Sequence, residues 1–305
     1  MARAKHKKKN RLKITAVALL AAIFAIIAGN YLWRTPIAVL EPAGPIAAGE
    51  RQLMIFAFVM MLFIVIPVFV IAFGFAWRYR ESNTKATYTP DWDNNRAAEI
   101  TWWLIPTALI VVLAVATWHG TYKYDPYKPL ASADKTLTVQ VVALDWRWLF
   151  IYPEQQIASV NELHIPVNTA VQFDITADAP MNSFWIPQLG GQIYAMPGMG
   201  TKLHLQADKT GSFYGSSANI SGEGFANMKF MTKATSKADF SSWAKQAAKQ
   251  EPLTKTTYDK LAKQSLDTKV YTFSKPTNGL YDTIINKYMN MDHEHTNTHE
   301  QMEDM

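Results

Sequence analysis

Met54 to Trp77 reads MIFAFVMMLFIVIPVFVIAFGFAW, an apolar run without one charged side chain. As a helix rising about 1.5 Å per residue, it is long enough to cross the ~30 Å hydrocarbon core of a bilayer. Pro67 lies inside it, where neighbouring helices or Ser/Thr groups can satisfy the freed carbonyl, so a kink is the ordinary reading. Upstream, Leu40 to Gly49 holds two prolines and two glycines and suits a short external loop before Arg51 opens the span. Two further uncharged runs flank it, Ile14 to Trp33 and Ile100 to Trp118, and nothing comparable follows Tyr124. The chain therefore meets two solvents, which its mean hydropathy of −0.07 conceals.

The basic residues decide the orientation. Arg3, Lys5, Lys7, Lys8, Lys9, Arg11 and Lys13 abut the first apolar run, and Arg78, Arg80, Lys85 and Arg96 fill the loop between the second and third. By the positive-inside rule both clusters are cytoplasmic, with attraction to anionic lipid added, so the chain from Tyr122 onward lies outside, in the periplasm. The net charge of +5 reflects this anchor rather than a nucleic-acid face, since no basic-aromatic surface pattern follows. Residues 1–35 are either a cleaved signal peptide or a retained helix. Length favours the helix, and in Ile27-Ala28-Gly29-Asn30, which is similar to a lipoprotein cleavage box, Asn30 stands at the essential Cys position.

After a hairpin over 50–120, the pattern shortens to β-rich runs within 125–233: Leu137 to Ala143, Trp146 to Tyr152, Glu162 to Val167, Val171 to Thr176, Ser183 to Ile186, Thr201 to Gln206, Phe213 to Tyr214 and Met228 to Thr232. Turn residues such as Gly190-Gly191 and Lys209-Thr210-Gly211 separate them, which argues for an all-β sandwich or barrel. A helical extension follows over 234–290. Ser236 and Asp239 form a capping pair ahead of the apolar face of Phe240, Trp243, Ala244 and Ala247, with further helices expected over Thr257 to Lys263 and Tyr281 to Met289. The tail 291–305, rich in His and acidic residues, is expected to be disordered.

The residue inventory excludes much chemistry. With no Cys there are no disulfides, thiolate metal sites or thiol nucleophiles, and no phosphate loop, nucleophile elbow or His-Glu-x-x-His helix occurs. The only histidines of the sandwich, His164 and His204, read as members of a sheet, and those of the tail as weak, incidental metal ligands. Glu99, at the cytoplasmic start of the third run, reads either as a carboxylate at a helix N-terminus or as a functional group in contact with cytoplasmic water.

Asp145-Trp146-Arg147-Trp148-Leu149-Phe150 opens the sandwich. With Phe150 to Gln155, Met181-Asn182-Ser183-Phe184-Trp185-Ile186-Pro187-Gln188-Leu189-Gly190 and Gln192 to Met199, it closely resembles subunit II of the haem-copper oxidases, in the cytochrome bo-type ubiquinol oxidase branch. The resemblance covers nearly the whole chain. It implies a cupredoxin-like sandwich on a transmembrane hairpin in the bacterial inner membrane, within a proton-pumping quinol:oxygen oxidoreductase. Copper-bearing relatives hold a dinuclear centre with one His and a Cys-x3-Cys-x3-His-x2-Met loop. At the matching positions here stand Asn182 (first His), Ser217 and Ser221 (the Cys pair), Asn219 (bridging position), Phe225 (second His) and Met228. A lone thioether does not hold copper, so the resemblance implies no metal in this subunit, with Ser217 and Ser221 left as hydrogen-bonding loop residues.

The resemblance further implies two haems, one copper and the quinol site in subunit I, with subunits III and IV as partners and no soluble cytochrome c. Trp146 and Trp148 then pack the sandwich onto subunit I rather than relay electrons, and Glu99 matches a carboxylate at the mouth of a proton-uptake path. A free-standing periplasmic binding module on a membrane anchor is the rival, and copurification of a haem-bearing partner separates the two.

Overall fold

A computed structural model describes residues 19–289, apart from 21, 22, 25, 28, 32, 33, 36, 88, 90–93 and 133. The chain divides into a unit up to Glu41 and a second from Pro42 onward. In the first, most described residues between 19 and 34 are helical, and a short 3-10 turn covers Ala38–Leu40. Much of the expected Ile14 to Trp33 span, and the whole 291–305 tail, lie outside the described residues.

The second unit begins with two helices long and apolar enough to cross a membrane, α1 (Pro45–Arg78) and α2 (Arg96–Lys123). Pro45 starts α1 where its missing N–H costs nothing, and the helix continues through Pro67. The Asn95 side chain caps α2 by accepting from the Ala98 N–H at 3.1 Å. Both helices present large apolar side chains outward, as lipid or a protein neighbour requires, among them Phe63, Phe73, Trp102 and Trp118.

Eleven strands follow: β1 (Leu137–Leu144), β2 (Arg147–Tyr152), β3 (Ile157–Val160), β4 (Glu162–Pro166), β5 (Val171–Ala177), β6 (Asn182–Trp185), β7 (Ile193–Ala195), β8 (Thr201–Leu205), β9 (Gly211–Ser217), β10 (Lys229–Thr235) and β11 (Tyr271–Ser274). They form a six-stranded sheet, β11-β3-β2-β1-β5-β8, against a five-stranded one, β4-β10-β9-β6-β7. The pairs β1/β5 and β4/β10 are parallel, and the other pairs are antiparallel. Trp148, Phe150, Phe173, Phe184 and Phe230 fill the space between the sheets. Phe184 lies edge-on to Trp148 and stacks on Phe230, centroids 5.3 Å away in both cases.

Trp148 is 0% exposed, which corrects the interface role expected of it: an indole sealed in the core has no surface to offer a partner. The C-terminal segment also departs from expectation. Helices α3 (Lys237–Ala247), α4 (Lys255–Leu261) and α5 (residues 280–289) form, but the strand β11 between the last two was not anticipated. Leu253, Tyr258, Leu261, Phe273, Leu280, Tyr281 and Ile284 cover the outer face of the larger sheet, against Val142, Leu144, Leu149 and Ile151. With both of its faces covered, β2 is buried along its whole length, which is why it reads as a continuous apolar run rather than an alternating one.

Both membrane helices are tied to the sandwich. Ala43 N–H donates to the Gln188 carbonyl (2.7 Å), Ala47 N–H to Leu189 (3.2 Å) and Asp208 N–H to Ala43 (2.7 Å), while His204 N–H bonds the Pro126 carbonyl beyond α2 (3.1 Å). The Gly191 N–H donates to Glu50 Oε1 at 3.0 Å.

Candidate functional site

The loop from Ser217 to Met228 joins β9 to β10 and carries most of the positions at issue. Its two ends meet where the Ser217 N–H donates to the Met228 carbonyl (3.2 Å), and the Ala218 N–H ties it to Ser183 on β6 (3.1 Å). Asn182, which opens β6, is 0% exposed. The Ser217 hydroxyl donates to Asn182 Oδ1 at 2.9 Å, and Asn182 Nδ2 donates to the Pro180 carbonyl at 2.7 Å. Asn219 Nδ2 reaches the Met181 carbonyl at 2.9 Å, and Met228 is sealed beneath. Asn182, Ser217, Asn219 and Met228 thus belong to one small hydrogen-bonded and packed cluster.

Ser221 and Phe225 lie further along the loop, beside Trp146. The indole Nε1–H donates to the Ser221 carbonyl at 3.1 Å, whereas Ser221 Oγ is buried without a partner among the described residues. Gly222 (φ +124°) and Gly224 are required here, since a Cβ on either would come within 2.9 Å and 2.3 Å of the Trp146 ring. Trp146 therefore fastens the loop. The side chains offered are amides, hydroxyls, a phenyl ring and one thioether; a dinuclear copper centre needs thiolates and imidazoles, so these residues do not fit that group. No group of three or more His, Cys, Asp or Glu capable of holding a metal occurs among the described residues.

Glu99 is exposed in the first turn of α2, its N–H bonded to the Asn95 carbonyl at 2.9 Å. From there to Gly120, beside the sandwich end, the helix rises about 32 Å, so the carboxylate stands across the membrane thickness from the sandwich.

Three features escaped sequence reasoning. Asp178, between β5 and β6, has a side chain 2% exposed that gathers Tyr258 OH, Tyr288 OH and Lys287 Nζ, each at 2.6 Å. The hub pins α4 and α5 to the segment leading into Asn182, beside a cavity of about 870 Å³. Second, His164 lies flat on Trp243 of α3, centroids 4.0 Å apart, with Nε2 2.7 Å from Glu162 Oε1, while Lys233 holds the other Glu162 oxygen at 2.7 Å. The third is a cleft of about 340 Å³ between α1 and α2, bordered by Glu50 and Tyr124. The Asp178 hub left no sequence signal, because a single Asp in a loop has no periodicity to betray its partners.

A membrane-anchored cupredoxin-like sandwich with this loop defines the class of oxidase second subunits. A family profile described as "Cytochrome C oxidase subunit II, periplasmic domain" matches residues 109–235, and one described as "COX Aromatic Rich Motif" matches 247–292. The chain is 49% identical to cytochrome bo(3) ubiquinol oxidase subunit 2 of Pseudomonas putida over 83% of its length and 81% of the relative's. It is 48% identical to ubiquinol oxidase subunit 2 of Acetobacter aceti over 83% of each. Among solved structures, the periplasmic domain of cytochrome oxidase subunit II of Bradyrhizobium japonicum matches with a TM-score of 0.36 and 25% identity, covering 39% of this chain and 96% of that one. The chain belongs to the ubiquinol oxidase subunit 2 family: it is a membrane-anchored subunit of a haem-copper oxidoreductase, with its sandwich periplasmic and subunit I as its partner.

Proposed function

We propose that this subunit carries no redox centre and serves a proton-pumping quinol:oxygen oxidoreductase of the bacterial inner membrane as a structural and assembly subunit. Subunit I then holds two haems, one copper and the quinol site, and subunits III and IV and membrane lipid complete its surroundings. The observation that carries this reading is the donor set at the cradle, Asn182, Ser217, Asn219, Ser221 and Phe225 beside Met228, in a chain with no Cys. Electrons from a water-borne cytochrome c would find no acceptor there, whereas quinol arrives through lipid. With no copper to serve, Trp146 holds the loop and adds to the surface that meets subunit I.

We assign proton entry to Glu99. Its position at the cytoplasmic end of α2 supports this, because ionisable groups at membrane helix ends that meet cytoplasmic water are functional candidates. The test is oxygen uptake by the purified complex. Quinol should sustain it and reduced cytochrome c should not; uptake driven by cytochrome c would refute the reading of a subunit without a redox centre.

A further inference from the structure

We propose that the cavity between α4 and α5 is a docking site for this chain's own acidic segment, residues 291–305. The cavity, of about 870 Å³, has an apolar floor of Tyr258, Ala262, Leu280 and Ile284, and Lys255 and Lys263 stand exposed at its border. Neither lysine has an ion-pair partner among the described residues. Lys287, by contrast, is held by Asp178 at 2.6 Å, so its charge is already answered. Asp259 also borders the cavity, which leaves two unpaired cations there against one unpaired anion among the described residues.

The same imbalance extends over the C-terminal cap. Residues 237–289 carry nine lysines against five carboxylates, whereas 291–305 carry five carboxylates, Asp292, Glu294, Glu300, Glu303 and Asp304, and neither Lys nor Arg. Attachment adds proximity. Asn286 and Lys287 line the cavity and α5 runs to residue 289, so the chain leaves its helix two residues beyond that wall. Fifteen residues reach about 50 Å when extended and α4 is only about 10 Å long, which puts the whole cavity within reach. A tethered segment meets its site at an effective concentration in the millimolar range, so a few screened ion pairs of modest strength are enough to hold it. An unattached anion would have to supply that concentration itself. Met291 and Met302 add apolar side chains for the floor.

The oxidase reading does not depend on this contact, and the intact complex tests it. Zero-length carbodiimide coupling, read by mass spectrometry, should join Lys255 or Lys263 to a carboxylate of 291–305. Hydrogen exchange in α4 and α5 should rise about fivefold when 291–305 is removed, and by a similar factor in the double variant Lys255→Glu, Lys263→Glu, at the haem content of the wild-type complex. Raising salt from about 0.1 M to about 1 M shortens the screening length from about 10 Å to about 3 Å, and should give the same rise in wild type but none in the truncated chain. Lysine couplings confined to other subunits, exchange within about twofold of wild type after truncation, or a salt response equal with and without the segment overturns the inference.

Discussion

Tyr258→Phe removes one oxygen atom and leaves the ring that packs α4 onto the outer face of the larger sheet. The lost hydroxyl donates to Asp178 at 2.6 Å, where the carboxylate side chain is 2% exposed. A hydrogen bond to a charged group is worth about 1.5–3 kcal/mol, so the opening equilibrium of the C-terminal cap should rise roughly ten- to a hundredfold. Lys287 contributes less despite its full charge, because its side chain is 55% exposed and solvent screens the pair. Hydrogen exchange on the intact complex, followed by mass spectrometry, resolves the effect by segment. Faster exchange is expected in α4, β11 and α5, with β1, β2, β9 and β10 unchanged, since the cap is attached through this hub and the sandwich core is not. Exchange in the cap within a factor of about two of wild type, or equal loosening of cap and sandwich, refutes the reasoning.

Acid should weaken the attachment of α3. Burial pushes the His164 imidazole below its usual value, and although burial alone would raise Glu162, Lys233 and His164 hold that carboxyl low. For both groups the unfolded chain binds protons more readily, so stability present at neutral pH drains as pH falls, from about 6.5 for His164 and from about 4.5 for Glu162. Denaturant unfolding between pH 7.5 and 5 should therefore show a slope that His164→Gln flattens; an unaltered slope in the variant counts against the clamp. Gly224→Ala drives a methyl into the Trp146 indole and should cost about 1–3 kcal/mol and change the tryptophan emission; emission and stability like wild type would mean the loop does not rest on that ring. Glu99→Gln should slow haem reduction and turnover, and rates unchanged across pH would remove Glu99 from the proton path.

How much of this the sequence reveals depends on the range of the interactions. The hairpin announces itself through uninterrupted apolar runs, and the cradle positions through the local motif Ser183-Phe184-Trp185-Ile186-Pro187 and the spacing from Ser217 to Met228. Ser236, read as a helix cap, does accept the Asp239 N–H, because capping is a three-residue affair. The strand β11 was missed because four residues, Tyr271 to Ser274, sit between two helices and pair with β3, over a hundred residues earlier. Trp148 was misplaced for a related reason. With both faces of β2 buried, alternation could not tell a core indole from a surface one, and only the cap supplied by α4, β11 and α5 makes the second face visible.

The absence of a copper centre from this subunit is tested most directly by the copper-to-haem ratio of the purified complex, measured by elemental analysis together with its near-infrared spectrum. One copper for every two haems, with no mixed-valence band, is the predicted result; three coppers for two haems, with that band present, would contradict it.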